Sequence, residues 1–173
     1  MNEFRPEPVS NPEDSELVKA KSDALRLLSF KPRSVKELED RLKKKKYTPA
    51  LVDKVIEGLK GQGLLDDEKF ARLFAHSSVH THPTGKRRLE FDLSKKGLSK
   101  DMVRKTLDSL EDYDEKKAAR DLVFGRFQRM TGIPDEKKKA RLFAFLRRRG
   151  FSTETIFSVL SELIEGNIEP HED

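Results

Sequence analysis

Cysteine is absent from the 173 residues, and no run of about 18 apolar residues occurs anywhere in the chain. Without cysteine there is no disulfide, no thiolate nucleophile and no need for an oxidising compartment. Without a long apolar run there is no membrane span, and the N-terminus lacks the apolar core of a signal peptide. A cytoplasmic protein with no membrane partner is the expectation. Catalytic signatures are also missing: Gly125 and Gly132 belong to no phosphate loop, and no nucleophile stands in pattern with an orienting histidine. The acidic run Asp66-Asp67-Glu68 is accounted for as a helix start. The chain therefore reads as non-enzymatic and without a cofactor.

Apolar residues make up 35% of the sequence and charged residues 39%, with a mean hydropathy of −0.75. That ratio leaves a thin core under an ionic surface and fits an elongated chain better than a sphere. Lys and Arg number 36 against 31 Asp and Glu, a formal charge of +5. The acids crowd the beginning (Glu3, Glu7, Glu13, Asp14, Glu16) and the end (Glu169, Glu172, Asp173), so the middle is more basic than the total. A polyanionic partner or an acidic protein surface follows from that distribution, as does plain solubility.

What the chain does contain is one helical pattern written three times, from Val35, Lys86 and Lys139. Leu38, Leu89 and Leu142 open it, and Leu42, Leu93 and Leu146 follow one helical turn later. Tyr47, Leu98 and Phe151 occupy a turn. Val52, Val103 and Ile156, then Ile56, Leu107 and Leu160, then Leu59, Leu110 and Leu163, mark the next helix. The copies recur at intervals of 51 residues (Leu38 to Leu89) and 53 residues (Leu89 to Leu142). Such copies point to stacked units that cover each other's apolar stripes.

A further helix precedes each pair. The first runs from Ser15 to Phe30 on Leu17, Ala20, Ala24, Leu25 and Leu28, and Lys31-Pro32 ends it. Ser34 with Glu37 reads as a capping box, Thr48-Pro49 as a cap with proline at the first helical position, and Ser99, Asp114 and Ser152 as helix starts. The predicted fold is all-α, an elongated, curved array of three tandem three-helix units. Its expected boundaries are a disordered acidic leader at 1–14, repeats at 15–63, 64–112 and 113–166, and a flexible tail at 167–173.

Basic clusters fall at equivalent places near the end of each repeat's second helix: Lys43 to Lys46, Lys95 with Lys96, and Arg147 to Arg149. Cations there complement the helix dipole, which is a structural explanation; in register they also form one basic track. Arg adds paired hydrogen bonds to carboxylate or phosphate. Lys86, Arg87 and Arg88 are different, because they sit at a helix start, where the dipole disfavours cations. The partner or phosphate contacts predicted here are Lys44, Lys45, Lys86, Arg87, Arg88, Lys95, Lys96, Arg147, Arg148 and Arg149. Helix-end cations contact phosphate without reading bases, so sequence-specific DNA recognition is not expected. His76, His80 and His82 lack further converging ligands and read as surface or turn histidines, with no metal.

Particular short segments carry a family likeness. Leu27-Leu28, Lys31-Pro32-Arg33-Ser34 with Glu37-Leu38, and the run from Gly63 through Asp66-Asp67-Glu68 to Phe70-Ala71 resemble the bacterial RecX regulatory family. So do Gly85-Lys86-Arg87-Arg88-Leu89, Lys96-Gly97-Leu98 and Arg149-Gly150-Phe151, and the likeness covers Ser22 to Ile164. Lys46 departs from the pattern, since the equivalent turns have Gly97 and Gly150. The resemblance implies a curved array of three-helix units that modulates the RecA recombinase in DNA repair and the SOS response. It also implies binding to the RecA nucleoprotein filament and restraint of ATP hydrolysis, strand exchange and coprotease activity; the chain itself is expected to be a monomer. A RecA-independent, non-specific DNA-binding helical protein is the alternative that the charge alone supports, through direct contact with single- or double-stranded DNA.

Overall fold

The computed structural model describes residues 12–166, and among them there are nine helices and no strand. They are α1 (Pro12–Phe30), α2 (Val35–Lys44), α3 (Pro49–Gly61), α4 (Asp67–His80), α5 (Lys86–Lys95), α6 (Lys100–Asp108), α7 (Glu115–Gln128), α8 (Asp135–Arg148) and α9 (Thr153–Ile164). α1 starts three residues before the expected Ser15, because Pro12 suits a helix opening and Glu13 and Asp14 supply the negative charge its first turn favours. The rest of the expected leader and the tail at 167–173 lie outside the described residues.

Local chemistry sets the helix ends. Ser34 Oγ accepts from the Glu37 amide at 3.1 Å while Glu37 Oε2 accepts from the Ser34 amide at 3.3 Å, so the capping box is complete. Ser99, Asp114 and Ser152 accept bonds from the third amide beyond them and start α6, α7 and α9. Thr48 stands at the cap of α3 without a side-chain bond, leaving Pro49 to set the entry. Lys46, Gly97 and Gly150 take the same left-handed turn, with φ of 67°, 88° and 80°. The lysine therefore keeps the geometry of its glycine counterparts and bears the steric cost of its Cβ.

The chain divides into two compact units, one ending at Phe70 and the other beginning at Ala71, a boundary inside α4. In the first unit α1, α2 and α3 enclose Ala20, Ala24, Leu38, Leu42, Val52, Val55, Ile56 and Leu59, and Leu65 of the following loop closes the cluster. Leu25, expected in the stripe of α1, is 40% exposed; Leu27 packs on the core instead. In the second unit α7, α8 and α9 bury Ala119, Val123, Leu142, Leu146, Phe151, Ile156 and Leu160. The repeat containing α5 and α6 buries Leu89, Leu93, Leu98 and Val103. α6 stops at Asp108, so Leu110 lies beyond it and is half-buried, unlike Leu59 and Leu163.

Successive repeats are joined by one recurring bond. Asp67, first residue of α4, accepts the Val35 amide of α2 on Oδ1 at 2.8 Å. Glu115, first residue of α7, accepts the Lys86 amide of α5 on Oε1 at 3.2 Å. In each case an acid from the start of the next repeat satisfies an amide that no intrahelical carbonyl reaches. Burial pushes the Asp67 carboxyl above its ordinary range, against the pull of the Val35 bond.

Candidate partner-binding surface

The second unit holds a joint where the turn before α5 meets the turn after α8. Arg149 O accepts both the Gly85 amide at 2.9 Å and the Thr84 hydroxyl at 2.8 Å, and the Arg149 guanidinium donates to Pro83 O at 3.2 Å. A Cβ at Gly85 would run into the Gly150 carbonyl, and one at Gly150 into the backbone and Cβ of Arg88. Tyr113 Oη donates to Thr84 O at 2.8 Å and fastens the loop from the other side. Burial first, and the nearby Glu115 second, push the Tyr113 phenol up to about 12. The joint brings together Lys86-Arg87-Arg88 and Arg147-Arg148-Arg149, two runs separated by about sixty positions in the chain.

The predicted cations divide into two sets by a rule that holds in all three repeats. The last helical residue, Lys44, Lys95 or Arg148, is exposed and has no ion pair among the described residues. Its neighbour, Lys45, Lys96 or Arg149, turns back onto the protein. Lys45 Nζ lies 2.7 Å from Asp23 Oδ2, Lys96 Nζ lies 4.7 Å from the centre of the Phe74 ring, and the Arg149 guanidinium lies 5.5 Å from that of Phe145. The Lys45 bond holds the Asp23 carboxyl below its ordinary range, assisted by the Tyr47 hydroxyl at 2.8 Å.

At the start of α5 the three cations have separate duties. Lys86 is half-buried and its amide meets Glu115, whose carboxylate also offsets the unfavourable dipole. Arg88 pairs with Asp92 at 2.8 Å and lies 5.9 Å from the centre of the Phe91 ring. Arg87 is exposed and makes no ion pair among the described residues, and the same is true of Arg147. Free cations thus remain at Lys44 in the first unit and at Arg87, Lys95, Arg147 and Arg148 in the second.

Arg126 was not legible as part of this surface. Its guanidinium lies 4.1 Å from the centre of the Phe145 ring that Arg149 also approaches, so one ring orients two cations. Arg126 belongs to α7, and only the packing of α7 on α8 brings it there. Among the described residues no group of three or more His, Cys, Asp or Glu could hold a metal ion, and no helix is long and apolar enough to cross a membrane.

An all-α chain of tandem three-helix domains, with cations concentrated on exposed helix ends, is the class these features define. Three family models match it in order: the first three-helix domain of RecX over residues 20–59, the second over 66–107 and the third over 112–160. The chain is 34% identical over 150 residues to the regulatory protein RecX of Chlorobium phaeobacteroides (strain BS1), covering 87% of this chain and 97% of that one. It is 30% identical over 154 residues to the regulatory protein RecX of Thermobifida fusca (strain YX), covering 89% and 83%. The crystal structure of RecX from Lactobacillus salivarius shares the fold, with a TM-score of 0.75, 23% identity, and coverage of 88% of this chain and 99% of that one. The chain belongs to the RecX family, and its role is regulatory.

Proposed function

We propose that this chain binds RecA filaments on DNA and restrains their recombinase, ATPase and coprotease activities. It does so as a cytoplasmic, non-enzymatic monomer without a cofactor. The observation that carries this reading is the joint in the second unit, where two basic runs converge and leave Arg87, Arg147 and Arg148 without acidic partners. Membership of a regulatory family supports a protein target for that surface. Cations held in fixed relation give several weak contacts that act together on a repeating partner.

The test compares the unsubstituted chain with an Arg87→Glu/Arg147→Glu/Arg148→Glu variant in cosedimentation with ATP-loaded RecA filaments. Filament affinity is expected to fall at least about tenfold while far-ultraviolet circular dichroism is unchanged, since none of the three side chains ties the fold together. Unchanged cosedimentation would remove these residues from the interface. Equal binding of the unsubstituted chain to bare single-stranded DNA and to filaments across a salt series would favour the RecA-independent alternative.

A further inference from the structure

The second unit exposes two phenylalanines that the repeat does not require. Phe91 on α5 is 58% exposed and Phe157 on α9 is 60% exposed. Three copies of one unit allow a comparison inside the chain. The positions equivalent to Phe91 are Asp40 in the first repeat and Ala144 in the third. Those equivalent to Phe157 are Asp53 and Arg104. The same helical positions therefore fold with a carboxylate, a methyl group or a guanidinium, so neither place requires a phenyl ring.

The first ring sits in a setting of mixed charge and the second beside an acid. Around Phe91, Arg87 and Lys95 stand one turn to either side on the same helix face, and Glu90 and the Arg88–Asp92 pair lie beside it. Around Phe157, the ring packs 5.4 Å from Phe143, and the exposed charged side chain one turn earlier on α9 is Glu154. A nucleic-acid strand stacking on these rings would run its phosphates past Glu90 and Glu154, exposed carboxylates with no ion pair among the described residues. A protein surface with an apolar recess and ions of both signs at its rim meets no such conflict.

We infer that Phe91 and Phe157 are apolar anchors for a protein partner, each entering a recess on that partner, with Arg87 and Lys95 pairing with carboxylates around the first. Phenylalanine is among the side chains enriched at protein interfaces, where a few apolar anchors inside a polar rim carry most of the binding energy. The inference rests on the proposed function for the identity of that partner, the protein subunits of the RecA filament, and assigns the contact to protein and not to DNA.

The internal comparison also supplies variants that the fold accepts: Phe91→Asp and Phe157→Arg install the residues of equivalent positions. The full-length variants are compared with the unsubstituted chain for binding to RecA filaments and to a bare oligothymidylate, with thermal melts as the control for folding. Each substitution is expected to weaken filament binding about tenfold or more, with any oligothymidylate binding unchanged and only a small drop in melting temperature from the lost Arg88–Phe91 or Phe143–Phe157 contact. Phe91→Ala and Phe157→Ala, which alter no charge, are expected to weaken it similarly. Filament affinity unchanged in both alanine variants would overturn the anchors while leaving the proposed function standing. Parallel loss of oligothymidylate binding would reassign the rings to base stacking and overturn the protein assignment. Failure of the unsubstituted chain to bind filaments at all would overturn the proposed function and this inference together.

Discussion

Adjacent cations in this chain do opposite things, and the difference is visible in what each touches. Lys44 and Arg148 point to solvent, whereas Lys45 and Arg149, the next residues, engage Asp23 and the Pro83 carbonyl. Charge reversal at Lys44 and Arg148 is expected to weaken partner binding and to lower stability by about 1 kcal/mol or less at each site, the helix-dipole contribution of the cation. Arg149→Gln, by contrast, loses a bond from a charged donor and the contact with Phe145, and is expected to lower stability by about 1–2 kcal/mol in a denaturant titration. Lys46 gives a test of the opposite sign. Its φ of 67° is left-handed, so Lys46→Gly is expected to raise stability by about 1 kcal/mol. A lower denaturation midpoint in that variant would show that the lysine side chain compensates its own strain.

At the scale of helices and turns, the sequence was most legible where its signals were local. Ser34 with Glu37, Ser99, Asp114 and Ser152 all cap the helices their neighbours predicted, because a cap depends on residues two or three positions away. The three copies likewise marked the buried rungs Leu38, Leu89 and Leu142 and Leu42, Leu93 and Leu146. The joint between the second and third repeats was hidden, because Gly85 and Arg149 meet through packing and no spacing rule reports it. The convergence of Arg126 and Arg149 on Phe145 was hidden for the same reason. Gly85→Ala and Gly150→Ala are each expected to cost about 1–3 kcal/mol, since a methyl group at either place collides with backbone that cannot swing aside. Melting temperatures of the two variants would measure it, and a neutral result would mean that the two turns separate without cost.

Over the whole molecule, the ionic ties make stability depend on pH in a defined direction. Lys45 holds Asp23 below its ordinary 3.8, and Lys116 in the first place, then Arg120, holds Glu162 below its ordinary 4.5. A carboxyl with a lowered folded-state value contributes stability above its unfolded value and loses it as pH falls through the folded one. Asp67, raised by burial, acts in the other direction: its contribution is complete below 3.8 and declines as pH rises. Thermal melts from pH 6 to pH 2 are expected to show a shallower acid-induced loss for Asp23→Asn than for the unsubstituted chain. Identical slopes would mean that Asp23 titrates alike in the folded and unfolded states.

The bonds that join successive repeats also bear on how the molecule is made. The acid that completes the start of α2 is 32 residues downstream of the amide it meets, and the one that completes α5 is 29 residues downstream. Because a ribosome adds residues from the N-terminus onward, the amide that opens each of these helices has only water as its partner until the opening residue of the following repeat is made. The order of synthesis therefore sets the earliest moment of each fastening: the bond of the first repeat requires Asp67 to have been made, and that of the second requires Glu115.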